Sequence, residues 1–243
     1  MRDRRIRPAI VTVGDELIHG EQQNGNQTWL LQEFSSKGIP ATFALSVSDS
    51  IAEISKSLKF IIDSSYYPIF ISGGIGGTHD DRTREGIAVA LDRPLVKHQE
   101  CFEILLAKFG ERFTPQRQRM ACLPEGCTLI TNPIGAPGFS LNGVFAFPGF
   151  PSMLKPMVSD VLDNLLQHET ALTPPMVKEY TLPVSEGAIA VEIETFVNRY
   201  PTAKVGLYPS DKKFGKEITI RLRCTNVDDI IIAKFESMLR KYR

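Results

Sequence analysis

Residues 72–83, with the sequence SGGIGGTHDDRT, combine closely spaced glycines with two adjacent aspartates. Four glycines in five positions allow the backbone to approach a ligand closely and to turn its N–H groups towards it. A helical pattern begins at Thr83, and the first turn of a helix offers free N–H groups and the positive end of the helix dipole. The segment therefore predicts a phosphate-binding loop rather than a plain turn. The predicted phosphate contacts are Gly73, Gly74, Gly76, Gly77, Thr78 and Thr83.

Two neighbouring carboxylates, Asp80 and Asp81, follow the glycines. Like charges this close repel each other unless a cation offsets them, and Mg²⁺ is commonly held by one or two carboxylates together with substrate phosphates. A metal bound here would polarise a phosphoryl oxygen or lower the pKa of an attacking water. We therefore predict that Asp80 and Asp81 are the catalytic and metal-binding residues. The alternative is one capping aspartate and one solvated aspartate.

Further polar residues follow the first predicted strand. Asp15 and Glu16 are suited either to a metal or ribose contact or to a plain loop cap. Asn24 and Asn26 precede a predicted helix, where asparagine serves firstly as an N-cap and secondly as a ligand contact. We assign Glu16 and Asn26 to the wall of the pocket that faces the glycine loop.

Other candidates carry less specific signals. The Pro- and Gly-rich turns at residues 132–138 and 147–151 are suited to line a nucleotide pocket, and we place Gly149 in its wall, but structural turns have the same composition. His79 could contact phosphate, although a lone loop histidine usually does not. Arg82 and Arg84 either neutralise phosphate or lie solvated on a helix. No Ser-His-Asp arrangement is supported by spacing.

The elements that must position these residues alternate between strand and helix patterns. Such βαβαβ alternation predicts an α/β fold with a parallel sheet sandwiched by helices, in which ligands bind beyond the carboxyl ends of the strands. The predicted strands in this part are residues 9–13, 39–47 and 68–71. The predicted helices are residues 26–37, a helix capped by Asp49 or Ser50 and ending at about 63, and residues 83–91.

The pattern changes towards the C-terminus. Helices are predicted at residues 99–109 and 152–167, with short strands near 127–131 and 144–147, followed by a polar linker at 170–175. Beyond it, strands at 177–184, 203–207 and 217–223 and helices at 186–199 and 227–239 predict a small α+β (βαββα) domain. We therefore expect two domains, residues 1–170 and 171–243.

Composition excludes several classes of function. Lys and Arg total 28 and Asp and Glu total 28, so the net charge gives no indication of a polyanionic partner. Four cysteines without metal-ligand spacing indicate free thiols in a reducing cytosol. No apolar run reaches the ~18 residues of a membrane span, so we expect a cytoplasmic protein with no membrane partner.

A cluster of basic residues in the C-terminal part raises the question of RNA binding. The segment has neither a Gly-x-x-Gly loop nor the aromatic pair of an RNA-binding sheet, so we expect no nucleic-acid partner. A packing or dimer-forming role, and hence a homo-oligomer, is expected instead. The basic residues are Lys212, Lys213, Lys216, Arg221 and Arg223.

Together these motifs resemble the molybdopterin-binding (MoCF) fold and, more closely, the N-terminal module of the competence- and damage-inducible CinA family, a module also found in eukaryotic FAD synthase. The resemblance covers about residues 9–165. Five ordered motifs carry it, at residues 14–17, 73–83, 118–126, 132–138 and 147–151. Gly77 stands where the family has proline. The unit from residue 176 onward resembles the small domain that follows this module, and the chain stops before the nicotinamide-mononucleotide deamidase domain of full-length CinA.

The resemblance implies hydrolysis of a dinucleotide pyrophosphate such as ADP-ribose or FAD, with a divalent metal (Mg²⁺, Co²⁺ or Ni²⁺) and K⁺ as an additional ion. In the wider MoCF fold the same pocket binds molybdopterin, and the aspartate of that wider pattern falls on Asp81 while its arginine falls on Asp80. The expected function is therefore a nucleotide pyrophosphatase. The alternatives are a molybdopterin-binding protein of cofactor biosynthesis and a non-catalytic nucleotide sensor.

One departure from the family concerns the start of the first helix. The family usually has aspartate at the position of Asn24, and an amide neither supplies a negative charge to a metal nor acts as a base. The resemblance therefore implies that activity is weaker, altered in substrate or lost.

Overall fold

The computed structural model describes residues 6–167, 173–211, 216–224 and 229–242. The chain divides into two compact units, one of Met1–Ser35 with Ile39–Thr170 and one of Ala171–Arg243 with Ser36–Gly38. Some predictions fall outside the described residues, namely the domain boundary at 170/171, the first part of the linker, the side chains of Lys212 and Lys213, and the start of the last helix at 227.

The first unit contains eight strands and seven helices among the described residues. Its strands are β1 (Ala9–Val13), β2 (Phe43–Val47), β3 (Ile69–Ser72), β4 (Leu95–Lys97), β5 (Cys122–Pro124), β6 (Thr128–Ile130), β7 (Gly138–Leu141) and β8 (Val144–Phe147). Its helices are α1 (Asp15–Ile18), α2 (Gly25–Ser36), α3 (Ile51–Asp63), α4 (Thr83–Ala90), α5 (Gln99–Phe109), α6 (Pro115–Gln118) and α7 (Pro151–Leu166).

Six strands form the main sheet in the order β2-β1-β3-β8-β7-β6. The first four are parallel, as predicted, which confirms the α/β class. Beyond these four strands the sheet is mixed, because β7 runs antiparallel to both of its neighbours, β8 and β6. The cause is the two-residue turn Asn142-Gly143, where both residues have positive φ (52° and 89°). A connection this short can join only antiparallel neighbours.

The order of the sheet decides where the site lies. β1 is buried along its whole length because it lies between β2 and β3. On one face, Phe34 of α2 meets Phe70 of β3 edge-to-face at 4.8 Å, while on the opposite face α3 packs the buried Ile54, Leu58 and Ile61 into the cluster that contains Ile69 and Ile71. Because β1, β3 and β8 are adjacent and parallel, the loops that follow them emerge at the same edge of the sheet.

Within residues 173–211, 216–224 and 229–242, the second unit has three antiparallel strands and two α-helices, which confirms the predicted βαββα domain. The strand order is β10-β11-β9, and alternate residues such as Leu182, Ile220 and Leu222 pack against Phe196 and Phe235 of the helices. The elements are β9 (Met176–Leu182), α8 (Glu186–Arg199), β10 (Ala203–Pro209), β11 (Ile218–Cys224) and α9 (Asp229–Leu239).

All four cysteines are free thiols, as expected. Burial raises the pKa of Cys101 to about 12 and that of Cys127 to about 11, so neither is a thiolate at neutral pH. Within the described ranges, no helix has both the length and the apolar composition that crossing a bilayer requires.

The contact between α3 and α4 gives a test of the fold. A Cβ at Gly86 would lie 2.7 Å from the Cβ of Ile54, so Gly86→Ala should lower the free energy of unfolding by about 1–3 kcal/mol. A Cβ at Gly187 in α8 would meet no atom within 4 Å, so Gly187→Ala should raise the free energy of unfolding by roughly 0.4–1 kcal/mol. Calorimetric melting of both variants checks this. A stabilised Gly86→Ala protein would contradict the close helix contact.

Candidate functional site

A cleft of about 190 Å³ opens where β1, β3 and β8 end. It brings together four predicted site residues that are far apart in sequence: Glu16, Asn26, Gly73 and Gly149. The carboxylate of Glu16 folds back over Gly14, since a Cβ on that glycine would lie 2.6 Å from Glu16 Oε2. The parallel order of the strands therefore produces the shared site that the sequence predicts.

Asn24 fixes one wall of the cleft. Its Oδ1 accepts a hydrogen bond from the N–H of Gln27 at 3.0 Å, which confirms the predicted N-cap. Its Nδ2 donates to the hydroxyls of Thr12 at 2.7 Å and Ser46 at 2.9 Å. The amide therefore joins the start of α2 to β1 and β2 through three hydrogen bonds.

Asn26 connects this wall to the opposite one. Its Nδ2 donates to the carbonyl oxygen of Gly149 at 2.6 Å and to the hydroxyl of Ser72 at 3.3 Å. Ser72 in turn donates to the carbonyl of Pro148 at 3.3 Å. Asn26 thus holds α2 to the ends of β3 and β8, in addition to any contact with a ligand.

Asp81 holds the glycine loop in shape. One carboxylate oxygen accepts from the N–H of Gly76 at 2.8 Å, and the other accepts from the N–H of Thr78 at 2.8 Å and from the Thr78 hydroxyl. A Cβ at Gly76 would lie only 2.5 Å from Asp81 Oδ2. The adjacency of Asp80 and Asp81 is therefore not in itself a sign of a metal, because donors of the loop itself hydrogen-bond to the carboxylate of Asp81.

Thr83 and Arg84 support the loop from the protein interior. Thr83 is fully buried and its hydroxyl donates to the carbonyl of Gly73 at 2.7 Å, so it shapes the loop rather than facing the cleft. Arg84 is 1% exposed and donates to the carbonyls of Ile75 and Gly76. The expectation that Arg84 neutralises phosphate or is solvated is therefore wrong. Burial lowers its pKa, while the negative charges of Glu85 and Asp81 act in the opposite direction.

The loop backbone has a conformation that requires glycine at its start. Gly73 and Gly74 have φ values of 103° and 66°. A Cβ would also collide with the carbonyl of Val13 at Gly73 and with the hydroxyl of Thr83 at Gly74. Within the described part of the chain, the N–H groups of Gly74 and Gly77 donate to no protein acceptor. The loop therefore keeps at least these two backbone donors available for an anion.

Asp80 differs from its neighbour in exposure. Its side chain is 61% exposed, and contact with the Thr78 hydroxyl, followed by its own backbone N–H, lowers the pKa of Asp80. His79 is 93% exposed, with its ring 3.9 Å from Asp80. Of the two predicted metal ligands, Asp80 is therefore the one whose oxygens face solvent.

A second pair of aspartates borders the same edge of the sheet. The N–H of Asp15 donates to Asp49 Oδ2 at 2.9 Å, and the N–H of Asp49 donates to Asp15 Oδ1 at 3.1 Å. Burial raises the pKa of Asp49, and the negative charges of Asp15, Glu16 and Asp80 add to the effect. From the sequence, Asp49 is predicted only as a possible cap of α3, and the residue that caps this helix is Ser50. Its position after β2, equivalent to that of Asp15 after β1, was the available signal.

The site contains no complete metal cage. In residues 6–167 and the other described ranges, no three His, Cys, Asp or Glu side chains are grouped closely enough to hold a metal ion. A carboxylate-poor site still suits Mg²⁺ when substrate phosphates supply further oxygens. The exposed carboxylate of Asp80, together with the free N–H groups of the loop, fits a site in which Mg²⁺ is held jointly by one carboxylate and by substrate phosphates.

Comparison with known proteins places the first unit in a described family. Residues 9–168 match the MoCF biosynthesis model, described as a "Probable molybdopterin binding domain". A protein of Metallosphaera sedula is 33% identical over 211 residues, covering 79% of this chain and 78% of that protein. The crystal structure of the protein CinA, of unknown function, from Thermoplasma acidophilum has a TM-score of 0.63 and 27% identity, covering 67% of this chain and 99% of that one.

Two CinA-like proteins are longer than this chain. The one from Nostoc punctiforme is 28% identical over 244 residues, covering 96% of this chain and 58% of that protein. The one from Picosynechococcus is 37% identical over 157 residues, covering 61% of this chain and 38% of that protein. The chain thus spans less than two thirds of either relative.

The role of Asp81 predicts a difference between the two aspartates. Asp81→Asn replaces an acceptor oxygen by an NH₂ group, which cannot accept from the loop, so the free energy of unfolding should fall by about 1–3 kcal/mol. Asp80→Asn removes an exposed carboxylate and should leave it nearly unchanged. Urea unfolding of the three proteins checks this. Equal stability of both variants would contradict the supporting role of Asp81.

The raised pKa of Asp49 predicts a pH-dependent effect. Ionisation of Asp49 destabilises the folded protein, so the free energy of unfolding begins to fall as the pH rises above the ordinary carboxyl pKa. Asp49→Asn keeps an oxygen that accepts from Asp15, so without divalent cations its melting temperature should exceed that of the wild type at pH 7. The difference should disappear near pH ~3, where the carboxyl is protonated.

The exposed Asp160 of α7 offers a matched control for that measurement. Asp160→Asn changes the net charge equally but should show no comparable gain at pH 7. If Asp49→Asn melts below the wild type at pH 7, the unfavourable burial of this carboxylate is refuted.

Proposed function

Because the chain belongs to the MoCF domain family and resembles its CinA-like members, we propose that it is a metal-dependent nucleotide pyrophosphatase. It hydrolyses the phosphoanhydride of a dinucleotide such as ADP-ribose or FAD. The observation that carries this proposal is the loop held by Asp81, which leaves the N–H groups of Gly74 and Gly77 free beside the exposed carboxylate of Asp80. The two donors bind phosphate oxygens, and their fixed positions cost little reorganisation during the reaction.

The metal requirement follows from the charges at this edge. The charges of Asp15, Glu16 and Asp80 are near enough to act on Asp49, so an incoming pyrophosphate meets repulsion at this edge. A divalent cation carried by the phosphates offsets that repulsion, and Asp80 is the carboxylate placed to hold it. When bound, Mg²⁺, Co²⁺ or Ni²⁺ polarises the phosphoryl oxygens or activates water. Asp81 acts through the loop as a positioning residue, and K⁺ is an additional ion to test.

Binding of molybdopterin is the second candidate, and the description of the matched family model favours it. The cleft volume of about 190 Å³ and its lining of hydroxyls and amides suit one polar ring system with a phosphate. A non-catalytic sensor is the third candidate, because Asn24 contributes no carboxylate to the cleft. Substrate assays separate the three.

The test is turnover of ADP-ribose and FAD with each metal, with and without K⁺, compared with binding of molybdopterin. The wild type should hydrolyse at least one dinucleotide only when a divalent cation is present. Asp80→Asn should lower kcat by at least ~100-fold, about 2.7 kcal/mol of transition-state stabilisation, while its melting temperature stays unchanged. Asp81→Asn should lower both kcat and the melting temperature.

Two results would refute the proposal. Wild-type turnover in Asp80→Asn would remove the metal role of this residue. Binding of molybdopterin or a nucleotide without any hydrolysis would favour the second or the third candidate, respectively.

A further inference from the structure

A second and larger cavity, of about 950 Å³, borders the other end of the glycine loop. We call it the arginine cavity. One wall is the end of the loop, Gly77, Thr78 and His79, and the other is formed by residues that follow α5. The residues of that second wall are Phe109, Glu111, Arg112, Thr114, Gln116, Arg117, Arg119 and Met120.

The arginine-bearing segment packs directly on the loop. A Cβ at Gly77 would lie 2.6 Å from the carbonyl oxygen of Gln116 and 3.3 Å from the Cα of Arg117. The short helix α6 is fixed there by Thr114, whose hydroxyl accepts from the N–H of Arg117 at 3.4 Å. The arginines therefore project from a segment that lies beside the free N–H group of Gly77.

The arginine side chains differ in how firmly they are held. Arg117 stacks on the ring of Phe109 at 4.6 Å and donates to the carbonyl of Arg112 at 2.7 Å. Arg119 lies 3.8 Å from Glu85, too far for a hydrogen bond, and its side chain is 38% exposed. Among the described residues, the guanidinium of the exposed Arg112 has no protein partner. The guanidinium of Arg112 is thus available for an anion, and that of Arg119, which faces Glu85 at ion-pair distance, keeps further N–H donors.

The sizes of the two cavities limit what each can hold. Pockets that enclose a drug-sized ligand have volumes of about 300–1,000 Å³, so the cleft of about 190 Å³ is too small for a whole dinucleotide. The arginine cavity has the missing volume, and the loop borders the cleft with Gly73 and the cavity with Gly77. Their charges also differ, because Glu16 lines the cleft, whereas three arginines and one carboxylate, Glu111, line the cavity.

We propose that a dinucleotide lies across the glycine loop, with one half in the cleft, the pyrophosphate at Gly74 and Gly77, and the other half in the arginine cavity. This inference rests on the proposed function and extends it to the placement of the substrate. Arg112 and Arg119 bind the phosphate-bearing half that enters the cavity, and Arg117 positions the wall.

The test uses the analogue of ADP-ribose in which CH₂ replaces the bridging oxygen, titrated calorimetrically in the presence of Mg²⁺. Replacing Arg112 and Arg119 together by glutamine should weaken its binding at least ~10-fold. Arg93→Gln, at an exposed arginine that lines neither cavity, serves as the control and should bind like the wild type. Unchanged melting temperatures establish that the variants are folded.

The two product halves locate the effect. The double variant should bind either AMP or ribose 5-phosphate more weakly than the wild type and bind the other with unchanged affinity, because only one half of the dinucleotide enters the arginine cavity. Equal weakening of both, or a dinucleotide affinity equal to that of Arg93→Gln, would overturn the inference while leaving turnover, and so the proposed function, intact.

The converse result is also distinguishable. Arginine-dependent binding of the analogue without any hydrolysis of ADP-ribose would support the placement and refute the pyrophosphatase. A wild type that binds no dinucleotide at all would overturn both.

Discussion

The site depends on how the polar groups of the glycine loop are shared between two charged side chains. Asp81 accepts from the N–H groups of Gly76 and Thr78, while Arg84 donates to the carbonyls of Ile75 and Gly76. Burying a guanidinium is costly unless acceptors replace its water, and the loop carbonyls are those acceptors. The loop is therefore fixed from two sides, and the loop N–H groups that donate to no protein acceptor, such as those of Gly74 and Gly77, are left for a ligand.

This arrangement separates the work of residues that are adjacent in sequence. Asp80 and Asp81 have the same chemistry, yet one is exposed and the other is saturated by loop donors. Thr83 and Arg84 begin α4 and face inwards, which makes the helix start a support for the loop. Phosphate recognition and structural support are thus carried by different residues of one short segment, so a substitution in it need not affect both.

Much of the fold follows from local pattern. The helices at Gln99–Phe109 and Glu186–Arg199 and the strands at Ala9–Val13 and Val144–Phe147 occur with the predicted bounds, because strong periodicity or β-branched runs define them. The strands β4, β5 and β7 were missed since they are short and set by pairing rather than by propensity. The meeting point of the strand-end loops was predictable from parallel topology. The burial of Arg84 and the approach of residues 112–119 to the loop depend on tertiary packing, which periodicity does not reveal.

Gly77, where the family resemblance implies a proline, combines these features. A proline has no N–H group, so it would remove one of the free donors of the loop. It would also add a Cβ only 2.6 Å from the carbonyl oxygen of Gln116, and the segment that carries the arginines would have to move away. Glycine at this position therefore has two consequences at the same place: an additional anion donor and the close approach of Arg112, Arg117 and Arg119. Both consequences occur at the end of the loop that lines the arginine cavity, whereas the cleft is lined by the other end of the loop, at Gly73.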